Sequence, residues 1–274
     1  MTAYSVMLDV PRELIAYVAQ LLRAERAVRG TRRGTRALTC WKQAIFVIVW
    51  FRDSPNITRL GHGFGIAQAT AYRYLSEGIT VPAAQAPDLH QALERAREAG
   101  PAHLVLDGTL IDTDRTREKK TGRKGEEIHA RYSGKAHHFA GLLQALMTPQ
   151  GAPLWVSDVL PGPVHDITAA REQVLAALQP YLKDLPVLAD CGYEGAGPRV
   201  YTPVKAPRDG YKLDVNTRTY NRLLRATRCQ GERGFALLTQ RWTTLQHVTL
   251  SPRRIGKIAR AALVPTHFEH RIIT

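Results

Sequence analysis

The first hundred residues carry apolar positions at helical spacing, interrupted by breaks rich in glycine, proline and polar residues. Residues 11–28 predict a first helix, opened by a proline, and residues 39–51 predict a second. A basic connector with two glycines, residues 29–36, lies between them. Residues 58–75 predict two short helices around a turn. The region closes at Gly100 and Pro101.

Beyond Pro101 the pattern changes to short apolar runs bounded by turn signals, which is typical of strands. Strands are predicted at residues 103–106, 142–147, 154–159, 187–189 and 200–204, and helices at 166–182 and 216–247. Three strands, a helix, two strands and a long helix is the element order of an RNase H-like fold. We therefore expect an α/β protein: an all-α region at residues 1–98, then an RNase H-like domain at 99–274, with a mixed sheet flanked by helices.

The charge of the chain points to a polyanionic partner. Lys and Arg number 38 against 24 Asp and Glu, a formal net charge of +14, and 29 of the cations are arginine. The guanidinium fork binds phosphate oxygens in pairs, and basic surplus attracts nucleic acid through counterion release. A ribosome-associated or merely basic protein is the alternative that charge alone leaves open.

The cysteines and the apolar runs indicate the compartment. Cys40, Cys191 and Cys229 lie far apart, without the paired spacing of a zinc site or a disulfide framework. The longest apolar run, residues 44–51, is too short to cross a bilayer, and the N-terminus lacks a signal-peptide layout. We expect a cytoplasmic, nucleoid-associated protein with no membrane partner.

Residues 58–75 have the pattern of a helix-turn-helix. The inward positions of the second helix are apolar, so its outward positions would meet base edges and phosphates in a major groove. These outward residues are Gln68, Thr70, Tyr72 and Arg73. A small structural helix pair is the alternative. The glycines at 61, 63 and 65 superficially resemble a phosphate loop, but no apolar strand or lysine accompanies them.

Two aspartates follow predicted strands. Asp107 comes after the first strand and Asp190 after the fourth, and these strands are neighbours in the expected fold. Carboxylates converging from strand ends suit Mg²⁺, which prefers hard oxygen ligands. Each aspartate alone has an ordinary explanation as a turn or capping residue, but the pair favours a metal site.

Glu232 is the third candidate ligand. It shares a helix face with Arg225 and Arg228, so a surface ion pair is the simple interpretation. Gly231 and Gly234 flank it. Each glycine costs a helix about 1 kcal/mol against alanine, a cost usually found where the backbone must approach something closely. That favours a site.

Two further segments adjoin these carboxylates. His165 and Asp166 open the predicted helix at 166, and N-capping by Asp166 is preferred over a metal role. Residues 115–135 carry eight Lys or Arg against three Glu. A solvated loop is the bland interpretation, whereas a loop contacting DNA suits a neighbouring cutting site. Its candidate contacts are Lys119, Lys120, Arg123, Lys124 and Lys135.

Together these motifs resemble a known family. The segments at residues 106–109, 132–135, 161–166 and 190–193, with Arg228 and Glu232, are similar to bacterial insertion-sequence transposases of the Asp-Asp-Glu superfamily, in the insertion-sequence-five family. The resemblance implies that Asp107, Asp190 and Glu232 form a catalytic triad holding two Mg²⁺ ions, for which Mn²⁺ can substitute. It places Arg228 at the family's arginine. Arg225 and Thr239 stand where the related signature has tyrosine and lysine, which affects accessory contacts only.

The resemblance implies a transposase that binds the terminal inverted repeats of its element, then cuts and joins DNA. Its partners would be double-stranded DNA, both repeats and target, and further copies of the chain in a homodimer or larger assembly on DNA. Arg225 and Arg228 would add DNA contacts. Two alternatives stay open: a non-catalytic regulator derived from a transposase, and an endonuclease that cannot join strands.

Overall fold

The computed structural model describes residues 8–32, 34–122, 125–207 and 212–272. Contacts divide the chain into two compact units. The first comprises the described residues up to Ala86, with Trp242–Thr244 and the described residues from Arg260 onward. The second comprises the described parts of residues 87–241 and 245–259. Across these ranges, no helix combines the length and apolarity needed to span a membrane.

Helices precede, flank and follow the strands of the second unit. The helices are α1 Arg12–Val28, α2 Cys40–Asp53, α3 Ile57–Gly63, α4 Gln68–Ala83, α5 Leu89–Ala99, α6 Asp166–Gln173, α7 Leu175–Leu178, α8 Val215–Arg228, α9 Gln230–Thr239 and α10 Ile255–His270. The strands are β1 Leu104–Thr113, β2 Lys119–Thr121, β3 Glu127–His129, β4 Tyr132–Ser133, β5 His138–Met147, β6 Pro153–Val156, β7 Leu160–Pro161, β8 Val187–Ala189, β9 Val200–Tyr201 and β10 His247–Val248.

Two helices of the first unit, α2 and α3, begin at side-chain caps. The side chain of Thr39 accepts a hydrogen bond from the backbone N–H of Lys42, and that of Asn56 accepts one from Arg59. Helices α3 and α4 approach closely at Gly61, where a Cβ would lie 2.7 Å from the Cβ of Ala71. This close approach explains a glycine inside a seven-residue helix. The helices expected at residues 11–28 and 39–51 agree closely with α1 and α2.

The second unit contains a mixed sheet in the order β4-β5-β1-β8-β9. Strands β1 and β5 are antiparallel, whereas β1, β8 and β9 run parallel. Strands β6 and β7 also pair with β5, and β10 pairs with β1. One face of the sheet packs on an apolar core that includes residues of α5, α6 and α7. A mixed sheet with flanking helices is consistent with the expected RNase H-like domain.

The sequence predicted that strand β1 ends at Asp107. In the structure the strand continues to Thr113. Pairing with β5 extends from Val105↔Met147 to Asp112↔Ala140. The neighbouring strand therefore supplies hydrogen-bond partners for the backbone groups beyond Asp107. A turn at Asp107 and Gly108 was the alternative to a metal site, yet both residues lie inside the strand. The glycine is needed for packing, because a Cβ at Gly108 would lie 2.6 Å from a carboxylate oxygen of Asp166.

Two predicted helices are divided in the structure. The helix expected at residues 216–247 is interrupted at Cys229, between α8 and α9, and α9 ends at Thr239. The helix expected at 166–182 is α6, α7 and a short 3₁₀ turn. The prediction that Asp166 is the N-cap of α6 is also wrong. His165 has the extended backbone of that position, and Asp166 is the first helical residue.

Close contact between α2 and α4 gives a first prediction. A Cβ at Gly78 would lie 2.1 Å from Cγ2 and 3.1 Å from Cβ of Val47, a stiff β-branched side chain. Gly78→Ala should therefore lower the free energy of unfolding by about 1–3 kcal/mol, as overpacking does, although alanine is the better helix former. Urea denaturation measures this change.

Gly63→Ala is the matched control, because a Cβ there meets nothing within 4 Å. It should leave the stability unchanged or raise it by up to about 1 kcal/mol. Equal effects of the two substitutions would show that the contact with Val47 does not limit the packing of α2 on α4.

Candidate active site

Parallel pairing of β1 with β8 brings two of the predicted carboxylates to the same level of the sheet. The register runs from Leu104↔Val187 to Leu106↔Ala189, so the next residues on the two strands are Asp107 and Asp190. Asp190 leaves the sheet as the N-cap of a 3₁₀ turn, and its Oδ1 accepts a hydrogen bond of 2.7 Å from the backbone of Gly192. The predicted adjacency of these strands is confirmed.

A third aspartate lies against the same pair. A Cβ added at Gly108 would be 2.6 Å from Oδ1 of Asp166, and one at Gly192 would be 2.9 Å from its Oδ2. The Asp166 carboxylate therefore lies between β1 and the turn that follows β8. Glycines at these two positions leave the space that it occupies. From the sequence, N-capping by Asp166 was preferred over a metal role.

Burial and mutual repulsion disfavour negative charge on this cluster. The pKa of Asp107 is raised from 3.8 to about 6, chiefly by burial, with further raising by Asp190 and Asp166. Arg228 opposes that shift. The pKa of Asp166 is also raised, first by burial and then by the charge of Asp190, while Lys135 acts in the opposite direction. The nearby cations therefore do not fully compensate the carboxylates.

A buried tyrosine and glutamine support the cluster from inside the protein. Tyr193 is fully buried, and Gln144 Nε2 donates to its hydroxyl at 3.1 Å and to the backbone carbonyl of Asp166 at 2.9 Å. Burial raises the pKa of Tyr193 well above its ordinary value, and the charges of Asp166, Asp107 and Asp190 raise it further. The phenol therefore keeps its proton beside the carboxylates. Gln144 was not predicted, although a glutamine inside the apolar run of β5 was a visible signal.

Arg228 points at Asp107. At the end of α8, its Nη1 donates to Oδ2 of Asp107 at 3.1 Å, and both side chains are largely buried. Arg228 was predicted to contact DNA. In this structure the guanidinium is the counterion of Asp107.

Glu232 is exposed in the first turn of α9. The preceding residue approaches the cluster, since a Cβ at Gly231 would lie 3.3 Å from Oδ2 of Asp107. A Cβ at Gly234 would lie 2.3 Å from Sδ of Met147. Both glycines therefore permit close packing of α9. Among the described residues, no three His, Cys, Asp or Glu side chains are grouped to hold one metal ion, so the predicted triad is not assembled here.

A cleft of about 290 Å³ opens beside the aspartates. Lys135 and Asp166 line it, together with Ser133, Gly134 and His165. Lys135 follows β4 and is exposed, and its charge lowers the pKa of Asp166. The cleft therefore presents an ammonium group and a carboxylate to the same space.

Comparison with protein families decides the identity. A model of the DDE superfamily endonucleases matches residues 106–265, more than half of the chain. The chain belongs to the DDE superfamily endonucleases.

The other comparisons add little to this family assignment. The search of curated proteins finds no match. Among solved structures, the Mos1 transposase paired-end complex with left transposon end is similar at 11% identity, over 68% of this chain and 75% of that chain, with a TM-score of 0.18. A superposition that distant carries no argument about fold or function.

Endonucleases of the DDE superfamily generally use divalent metal ions. Carboxylate oxygens are the ligands that such an ion prefers, and Asp107, Asp166 and Asp190 supply them in one partly buried place, although as they stand no three of the described side chains are grouped to hold one ion. Burial, and to a smaller extent the charges of Asp190 and Asp166, raise the pKa of Asp107, and a nearby cation would oppose that shift. Glu232 follows Gly231 on α9, the helix that approaches Asp107 at that glycine.

The basic segment of this DDE endonuclease is not the irregular loop that the sequence favoured. Strands β2 and β3 form an antiparallel hairpin, on which Lys119 and Lys120 are exposed. Glu118 at its base accepts hydrogen bonds from Arg131 and Arg253. The predicted contacts Arg123 and Lys124 lie outside the described residues. Arg225 is exposed on α8.

The remaining predicted DNA contacts lie in the first unit of the DDE chain. On α4, Gln68, Tyr72 and Arg73 are exposed, whereas Thr70 is half-buried. Ala71 and Leu75 are buried on the opposite side, as the helix-turn-helix pattern predicted. Helix α4 continues to Ala83, past the predicted end at Leu75.

The raised pKa of Asp107 gives the second prediction. Its folded-state pKa of about 6 lies above the ordinary value of 3.8, so the folded chain binds this proton more tightly than the unfolded chain. In the presence of a metal chelator, the free energy of unfolding should therefore increase as the pH falls from about 7.5 through about 6. The increase for one proton is at most about 1.4 kcal/mol per pH unit. Urea denaturation at several pH values measures the slope.

Asp107→Asn removes the titrating group and should flatten the slope over this pH range. Asp184→Asn, an exposed aspartate of the same unit, is the control and should keep it. Parallel profiles for the wild type and Asp107→Asn would contradict the assigned pKa.

Proposed function

We propose that this DDE endonuclease is a DNA transposase of the insertion-sequence-five family, which binds the terminal inverted repeats of its element, cuts there and joins the ends to target DNA. The observation that carries the proposal is the register of β1 and β8, which sets Asp107 beside Asp190 on adjacent parallel strands. Asp166 lies against the same pair. Family membership supplies the reaction class.

We propose that Asp107, Asp190 and Glu232 hold two Mg²⁺ ions, which Mn²⁺ can replace. When bound, such ions activate an oxygen nucleophile and stabilise charge on the attacked phosphate. The chain itself would have to make two adjustments. Arg228 would give up its bond to Asp107, and the exposed side chain of Glu232 would turn inward past Gly231. Both changes lie at the junction of α8 and α9, where the helix is already interrupted.

Other side chains would position the DNA. Lys135 lines the cleft beside Asp166, where it would neutralise a phosphate next to the ligands. The phenol of Tyr193 and the amide of Gln144 hold Asp166 and the turn after β8 in place. Arg225 and Arg228 on α8, with Lys119 and Lys120 on the hairpin, would contact the backbone of the same DNA. Rigid placement of the strand contributes much of the rate in phosphoryl transfer.

Two alternatives make different demands on these residues. A non-catalytic regulator gains nothing from three aspartates collected in a partly buried place, since they repel DNA and destabilise the fold. An endonuclease that cannot join strands would have the same site.

Incubating the chain with element ends, target plasmid and Mg²⁺ or Mn²⁺ distinguishes the transposase, the regulator and the endonuclease, because joined, unreacted and nicked DNA migrate differently on a gel. Assembly of two or more copies on paired ends would show as a larger complex.

The third prediction concerns catalysis. Asp107→Asn should reduce cutting about a thousandfold or more, because loss of a metal ligand removes several kcal/mol of transition-state stabilisation. DNA binding, measured by gel shift, should be retained. Asp184→Asn should cut like the wild type. Undiminished cutting by Asp107→Asn, or by Glu232→Gln, would remove that residue from the proposed triad.

The fourth prediction concerns sequence recognition by α4. Gln68→Ala should reduce the preference for the terminal repeat over unrelated duplex by about 1–3 kcal/mol, if the amide binds a base edge. Arg73→Ala should weaken binding as well. Fluorescence anisotropy with the two duplexes measures both effects.

Lys119→Gln with Lys120→Gln provides the contrast for that measurement. Contacts to phosphate carry no sequence information, so binding to both duplexes should weaken by the same factor. A preference unchanged by Gln68→Ala would show that the α3–α4 pair is only structural.

A further inference from the structure

The basic connector of residues 29–36, extended here to Thr39 where α2 is capped, carries charge that the proposed site does not use. From Arg26 to Arg52 the sequence has seven cations and no acidic residue. Arg33 of the connector lies outside the described residues. The C-terminal part of the connector is held against α4: the backbone N–H of Leu38 donates to the hydroxyl of Tyr74 at 3.0 Å.

A buried carboxylate fixes this arrangement. Glu77 of α4 is 7% exposed, and its Oε2 accepts hydrogen bonds from Arg36 of the connector and from Gln43 Nε2 of α2, the latter at 2.9 Å. Arg29 Nη1 lies 3.6 Å from the other carboxylate oxygen. Burying a carboxylate is expensive, and an apolar residue of similar volume often serves stability as well. Glu77 is therefore better explained by where it places Arg36 than by the stability it adds.

Arg36 is placed at the wall of a cleft. The cleft has a volume of about 330 Å³ and is lined by Thr35, Arg36, Ala37, Thr70, Arg73 and Tyr74. The guanidinium of Arg36 stacks over the Tyr74 ring, 4.8 Å from its centroid. Across the cleft, Arg73 Nη2 donates to the Thr70 hydroxyl at 3.1 Å. The lining thus has two guanidinium groups, three hydroxyl groups and no carboxylate.

We propose that this cleft binds a backbone phosphate of duplex DNA, with donors from the connector on one side and from α4 on the other. The proposal rests on the proposed function, in which α4 contacts DNA. Gln68 and Tyr72 are exposed on the same helix, so a duplex that reaches them brings its backbone past Arg73. A guanidinium fork matches phosphate oxygens, and contacts of this kind set the register of a recognition helix. Glu77 is a positioning residue that acts through Arg36.

The double variant Arg36→Gln/Glu77→Gln tests the cleft without changing the net charge of the chain. It also leaves no buried carboxylate unpaired. Affinity for repeat and unrelated duplexes should fall by the same factor, and the slope of log K against log salt should shrink by about 0.9 for one lost phosphate contact. Arg23→Gln on α1 is the control: it lowers the net charge by one at an exposed position outside the cleft, and should leave the slope closer to that of the wild type.

Glu77→Gln alone tests the positioning role. Arg36 keeps its charge in this variant but loses its anchor, so the salt slope should again shrink. A purely structural Glu77 would lower the melting temperature and leave the slope intact. Thr35→Ala removes a neutral donor and should weaken binding with little change in slope.

The outcomes separate the cleft from the proposed function. If the double variant binds DNA with the affinity and the salt slope of the wild type, the cleft does not bind a DNA phosphate. DNA binding by α4 is not contradicted by that result. Failure of the wild-type chain to bind any duplex overturns both. If inorganic phosphate raises the melting temperature of the wild type but not of the double variant, while their DNA slopes agree, the cleft takes a free anion and the assignment to DNA is wrong.

Discussion

The parallel pairing of β1 and β8 is the constraint on which the candidate site depends. Three register pairs place Asp107 and Asp190 side by side, and a slip of one residue would turn one of them to the other face of the sheet. The apolar residues of both strands fix this register, because Leu104, Leu106 and Val187 are buried in the core and a slip would move them out of it. The chemistry of the site therefore rests on packing several residues away from it.

Bringing carboxylates together in a place with little water has consequences throughout the second unit. Arg228 is drawn onto Asp107, Tyr193 is kept protonated, and glycines at 108 and 192 make room for Asp166. These features compensate for charge that the fold alone does not stabilise. Shifted pKa values of this kind are concentrated at functional sites, where a fold retains groups that do not add to its stability.

The sequence predicted those parts of the molecule that local patterns determine. Helices α1 and α2 and strand β8 follow from periodicity and caps, and the adjacency of Asp107 and Asp190 follows from element order. Asp166 was misjudged because a residue at a helix start has an adequate local explanation, whereas its position over Gly108 depends on tertiary packing. The length of β1 was missed for the same reason, since pairing with β5 overrides the Asp-Gly turn signal. For Glu232, helical spacing identified the face but not the interruption at Cys229.

Residues 242–244 and the described residues from Arg260 onward belong to the first unit, and this affects how the chain folds during its synthesis. Trp242 is fully buried there, its indole N–H donates to Thr266 at 2.8 Å, and its ring lies 6.2 Å from that of Phe51. During synthesis, α1 to α4 therefore emerge from the ribosome long before the residues that complete their core. Domains generally fold as units from the N-terminus, but here the sheet of the second unit can form while the first still waits for its last helix. Until then the apolar side of α1 to α4 that Trp242 covers stays exposed, and transiently exposed apolar surface makes folding intermediates prone to aggregate.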